Sequence, residues 1–149
     1  RRQRQMCIRD SYEQDLESRT FGVVVDTSGS MSAKQIGMAL GSIASYAAAK
    51  DVPFVRIIFC DAKATDAGYL APEDIAGRVK VTGRGGTILQ PGVDCLEQAN
   101  DFPKDGPILI ITDGEIENDL KIRREHAFLL PRGNRLPFRA RGEVFYFRE

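Results

Sequence analysis

The 149 residues are enough for one domain with a proper core and too few for two of ordinary size. Lysines and arginines number 21, and so do aspartates and glutamates, so no net field points to nucleic acid or to an anionic membrane. No apolar run approaches the length of a bilayer crossing, and the three cysteines, Cys7, Cys60 and Cys95, are odd in number without metal-like spacing, which favours a reducing cytoplasm over secretion.

Residues 1–11, RRQRQMCIRDS, have neither helical nor strand periodicity and share nothing with the rest of the chain. They resemble a translated library adapter and are set aside as a non-native or disordered segment. Tyr12 to Thr20 is a polar lead-in. FGVVV at 21–25 is a short apolar run rich in β-branched residues, suited to a strand buried on both faces. It changes abruptly into DTSGS at 26–30, where every residue is small, oxygen-bearing or glycine. Asp26, Ser28 and Ser30 alternate, so a turn from strand to helix can aim three oxygens at one point. Hard divalent cations take oxygen donors, and a small one keeps several waters in an octahedron. One carboxylate and two hydroxyls cannot fill that shell, so further donors are expected at neighbouring strand ends.

A helix follows over Ala33–Lys50, with Ile36, Leu40, Ile43 and Ala47 at helical spacing. Gly37, Gly41 and Ala44 are expected to keep its sheet-facing side small. Pro53 ends it. The next strand, 54–60, contains Arg56, whose head is expected to reach solvent at an edge, and ends in Cys60, which with Cys95 reads as a small core hydrophobe. Asp61 lies at the same carboxyl end as Asp26. It either orients water around an ion or opens a loop over Asp61–Gly68. PEDI at 72–75 is a helical turn, and Arg78–Thr82 suits an edge strand. Gly83–Gly86 then lets the backbone pass close to the Asp26 turn, with Arg84 solvated, and ends in the hydroxyl of Thr87.

Leu89–Ala99 is the next helix, with Pro91 in its first turn. ILIIT at 108–112 is a second buried strand, closed by Asp113 and Gly114. Glu115 and Glu117 add negative charge to the rim. Asp119–Glu125 reads as an amphipathic helix, 127–138 as a hairpin, and Glu143–Phe147 as a closing strand.

D-x-S-x-S at 26–30, Thr87 after its glycines, and the strand-terminal T-D-G at 112–114 resemble the metal-ion-dependent adhesion site of von Willebrand factor A (VWA) domains. In that family the two serines and the threonine bind Mg²⁺ directly, and the two aspartates act through water. The resemblance carries those roles to Ser28, Ser30 and Thr87, and to Asp26 and Asp113. A helix cap explains the first stretch, a helix opening the second and a D-G turn the third, but none explains all three together. The likeness covers residues 21–114 well.

The tail differs from an ordinary VWA domain. ITDGE at 111–115, RREHAFLLP at 123–131 and the aromatic last strand resemble the C-terminal VWA-like domain of a bacterial family of predicted metal-dependent peptidases. Residues 12–149 are then the C-terminal part of a longer protein whose peptidase half lies upstream. No H-E-x-x-H occurs and His126 is the sole histidine, so zinc peptidase chemistry has no place in this chain. His126 is expected to be packed or hydrogen-bonded.

The resemblance implies an α/β fold: a Rossmann-like three-layer sandwich with a mostly parallel sheet, helices on both faces, and a hairpin plus final strand at the C-terminus. It implies a non-enzymatic, Mg²⁺-dependent (or Mn²⁺-dependent) protein-interaction module whose open metal position takes an Asp or Glu carboxylate from a partner. A MoxR-type AAA+ ATPase and the upstream domain of the same protein are the partners it suggests. The alternative is a Mg²⁺-dependent phosphoryl-transfer enzyme of haloacid-dehalogenase-like or receiver type. Against it, the position two after Asp26 is Ser28 rather than a second acid, and no lysine follows a late strand to hold a phosphate.

Overall fold

The fold is taken from a computed structural model that describes residues 20–27, 31–61, 63–75, 77 and 88–147. In chain order β1 (Gly22–Asp26) leads to α1 (Ala33–Ala49), then β2 (Val55–Cys60), β3 (Ala64–Leu70) and the single turn α2 (Pro72–Ile75). After them come α3 (Gln90–Gln98), β4 (Ile108–Ile111), β5 (His126–Pro131) and β6 (Glu143–Phe147). The strands form one sheet in the order β3-β2-β1-β4-β5-β6. Every neighbouring pair is parallel except β2 and β3.

The β-branched run that makes β1 is buried along its whole length, as a central strand covered on both faces must be. Val23 and Val25 point to the same side as Ile57 and Phe59 of β2, and pack with Ile36, Leu40 and Ile43 of α1. Val24, Ile58 and Cys60 point the other way, with Ile110 of β4, and pack with Val93 and Leu96 of α3. The period-two alternation of the strands thus divides the apolar residues between two helical layers, giving the three-layer sandwich expected.

Gly92 lets α3 approach closely, since a Cβ there would lie 2.5 Å from Cys60 Sγ and 2.9 Å from Val24 Cγ1. α1 begins with a reciprocal cap: Ser32 Oγ accepts from Gln35 N–H and Gln35 Oε1 accepts from Ser32 N–H, both at 3.1 Å. Its buried face is Ile36, Ala39, Leu40, Ile43 and Ala47. Gly41 takes no part in that contact, since nothing lies within 4 Å of where its Cβ would be, whereas Ala44 packs half-buried against the core.

Several expectations need correcting. The stretch 61–68 is not one long loop, since β3 starts at Ala64 and pairs antiparallel with β2. Residues 119–125 form no helix and run as irregular chain. The final strand is present, but the hairpin over 127–138 is not. The turn after Pro131 ends β5, and β6 lies parallel to it, so residues 132–142 return from the carboxyl to the amino end of the strands over the α3-side face, where Leu136, Phe138 and Ala140 pack. The edge strand expected over 78–82 lies outside the described residues.

Arg56 also departs from expectation. Its head does not reach solvent, and the residue is only 6% exposed. Asp66 of β3 takes two hydrogen bonds from the guanidinium, Asp101 takes a third at 2.7 Å, and the Tyr69 ring lies 5.0 Å away. These partners raise the Arg56 pKa further, against the effect of burial. Burying one cation between two carboxylates satisfies its donors, which an isolated buried charge could not do.

Candidate functional site

Parallel pairing of β2, β1 and β4 brings their carboxyl ends to one edge of the sheet. Asp26 is level with Cys60, and Val25 with Ile111, so Asp26 sits beside both Asp61 and the Thr112-Asp113 turn. From β1 the chain moves first to β2 on one side and later to β4 on the other, with α1 and α3 on opposite faces. The crevice outside such a reversal is where open α/β sheets take ligands.

Asp26 is fully buried, and its Oδ2 accepts a 2.9 Å hydrogen bond from the Thr112 hydroxyl. That hydroxyl in turn accepts from Gly114 N–H at 3.1 Å. The two contacts fix the direction of the Thr112 proton and link the ends of β1 and β4. Asp113 is 4% exposed. Its Oδ1 accepts from Glu115 N–H at 3.0 Å and its carbonyl from Asn134 Nδ2 at 2.9 Å. Gly114 has φ +94°, and a Cβ there would lie 1.9 Å from the Arg135 carbonyl oxygen. The 134–135 segment therefore clasps the turn against the site.

The flanks of the other two stretches are tied to the same edge. Thr27 donates to Cys60 O through both its N–H (2.8 Å) and its hydroxyl (3.0 Å). Ile88 N–H donates to Asp61 O at 3.2 Å. Asp61 itself acts as a turn residue, its Oδ1 accepting from Lys63 N–H at 3.1 Å. Glu115 is exposed just past Gly114.

Of the residues singled out from sequence, Asp26 and Asp113 are brought together on adjacent strand ends, with Asp61 flanking Asp26. Ser28, Ser30 and Thr87 lie outside the described residues, as does Arg84. Three contributors were not expected. Thr112 had no role of its own within T-D-G, although it is the one hydroxyl in the ILIIT run. Asn134 comes from the tail, and no local pattern marks it. Glu117 is not a free rim charge: its carboxylate accepts from the N–H groups of Leu89 and Gln90 at 2.9–3.0 Å and caps α3. His126 is hydrogen-bonded as expected, its Nδ1 2.8 Å from Arg124 O.

The chemistry of this edge is that of oxygen donors. Cys60, next to Asp26, is held as a neutral thiol because burial above all pushes its pKa up to about 12, so it offers no thiolate to a soft metal. A fully buried carboxylate with a second acid on the next strand favours a cation nearby. Among the described residues no group of three or more His, Cys, Asp or Glu side chains could hold a metal. The donor set expected from sequence is of another kind, two acids with hydroxyls. Those acids and the small oxygen-bearing turn between β1 and α1 fit a small, hard divalent ion.

Among the described residues, no helix is long and apolar enough to cross a membrane. The sequence matches the family described as VWA-like domain (DUF2201) over residues 21–124, from the start of β1 to the approach to β5. No curated protein matches the chain significantly.

Proposed function

From the premise that the chain belongs to this family of VWA-like domains, we propose that it is a Mg²⁺-dependent protein-interaction module working through a metal-ion-dependent adhesion site. VWA-like domains often mediate contacts between proteins, which supports the broad reading. The observation that carries the finer one is the pairing of Asp26 and Asp113 on adjacent strand ends, joined through Thr112, at the reversal of strand order. Ser28, Ser30 and Thr87 would hold the ion directly, and the two acids would balance its charge through water.

The bound ion supplies an electrophilic position that a partner's Asp or Glu carboxylate can occupy. Neutral hydroxyl ligands withdraw little of its charge, and the N-terminus of α1 adds to the positive field. Losing one such charge-assisted, partly desolvated contact costs about 2–5 kcal/mol. Mn²⁺ would serve in place of Mg²⁺. The resemblance of the tail to the peptidase-associated family supports an upstream domain of the same protein, or a MoxR-type AAA+ ATPase, as partner. The action proposed is binding rather than catalysis, because the Asp26 turn supplies neither a second acid nor a phosphate cradle.

Calorimetric titration with Mg²⁺ and Mn²⁺ tests this reading. The intact protein should bind one ion, and both Asp26→Ala/Ser28→Ala and the milder Ser28→Ala/Thr87→Ala should bind none while remaining folded. Undiminished binding in the second variant would remove the hydroxyls from the site. Metal-dependent phosphatase turnover that Asp26→Asn abolishes would replace the adhesion reading with phosphoryl transfer.

A further inference from the structure

The carboxyl edge leaves one cluster of the molecule unused. The last 29 residues, 121–149, carry eight lysines and arginines against three acids, in a chain whose total charge is zero. Two irregular stretches, 118–123 and 138–141, face one cavity of about 580 Å³ at the amino end of β5. In the first, Leu120 and Ile122 turn into the α3-side core while Lys121 and Arg123 stay exposed. The second repeats the pattern, with Phe138 and Ala140 inward and Arg139 and Arg141 exposed. Four cations therefore rim a cavity that Phe128 and Phe138 floor, their rings edge-on at 5.7 Å, with His126 alongside.

Asp119 is the sole acid in the cavity wall. Among the described residues no carboxylate lies within ion-pair distance of Lys121, Arg123, Arg139 or Arg141. The first stretch is held in place by its backbone, not by those side chains: Lys121 N–H donates to Gln90 Oε1 and Arg123 N–H to Glu97 Oε2, both at 2.8 Å. The cationic heads thus remain available on a fixed frame.

We propose that this cavity is a binding site for a nucleoside diphosphate or a compound of the same chemistry. Its volume falls in the range of small-molecule pockets and is small for a folded partner. Guanidinium forks pair with phosphate oxygens in two-point contacts, which suits anionic groups at the rim. A flat ring would lie over the Phe138 and His126 side of the floor, where arginine and aromatic faces both stack on bases. The site is at the opposite end of β5 from the Asp26 edge, so it works independently of the metal.

Calorimetry at low salt, with EDTA present to keep the metal site out of the measurement, tests the assignment. ADP should bind, inorganic pyrophosphate more weakly and adenosine more weakly again. Arg139→Ala/Arg141→Ala should weaken ADP by about tenfold or more, as loss of two exposed charge contacts implies. Arg132→Ala, outside the cavity, should leave ADP binding unchanged. Absence of ADP binding, or equal binding by the Arg139/Arg141 variant, would overturn the proposal. So would binding of a polyglutamate peptide without ADP, which would assign the rim to an acidic protein segment.

Discussion

Gly114 carries more of the site than its size suggests. Its φ of +94° is strained for any side chain, and the Arg135 carbonyl oxygen occupies the place of a Cβ. Gly114→Ala must move either the turn or the 134–135 segment, and should lower stability by about 3 kcal/mol or more in thermal unfolding. A loss below about 1 kcal/mol would mean the clasp yields easily. At Asp66 the direction is set by charge. Hydrogen bonding to Arg56 holds its carboxyl below the usual range. The unfolded chain then binds more protons than the native one in acid. The stabilisation is fully present above the ordinary carboxylate pKa and disappears as the pH falls from about 4 through the lower native value. Asp66→Asn should be less stable at neutral pH and should show a shallower acid limb in unfolding measured against pH. An unchanged limb would mean the pair does not contribute. From sequence, Arg56 was recognisable as anomalous within an apolar strand, but its partners were not. Asp66 and Asp101 reach it only through β3 and the α3–β4 connection.

At the scale of elements, α3 starts without a side-chain cap of its own, and Glu117 supplies one from a distant segment. Glu117→Ala should cost about 1 kcal/mol and speed amide exchange at Leu89 and Gln90. Glu117→Gln, which still accepts hydrogen bonds, should lose less. Equal behaviour of the two variants would place the effect in charge alone. Long elements with a strong period were legible: the β-branched runs became β1, β2 and β4, and the spacing of Ile36, Leu40 and Ile43 became α1. Short or polar elements were not. ATDAGYL lacks apolar alternation because β3 is an edge strand in which only Leu70 is fully buried. Leu120 and Ile122 alternate with Lys121 and Arg123 along an irregular stretch, yet so short a run also suits a helix. Within the expected hairpin a turn does form, with Gly133 at positive φ and Asn134 N–H donating to Pro131 O, but a turn does not say whether the next strand pairs with the one just ended as a hairpin or returns in parallel.

For the whole molecule, strand order fixes where chemistry can happen. Placing β1 between β2 and β4 sets Asp26 and Asp113 on neighbouring ends although 86 residues separate the linked pair Asp26 and Thr112. The alternation of apolar strand and helix announced an α/β sandwich, and a strand-end acid after each of two buried runs announced the edge. The buttress from the tail was invisible, since Asn134 and Arg135 act through a contact that only the crossing of residues 132–142 creates. The central claim is that the three stretches around Asp26, Thr87 and Asp113 serve a single ion. Paramagnetic broadening of backbone amides by one equivalent of Mn²⁺ reads this directly. The amides of Thr27, Ile88 and Gly114 should broaden together, while Phe21 and Ala127 at the far end of the sheet keep their intensity. Broadening confined to one of the three stretches, or absent from all of them, would contradict the claim.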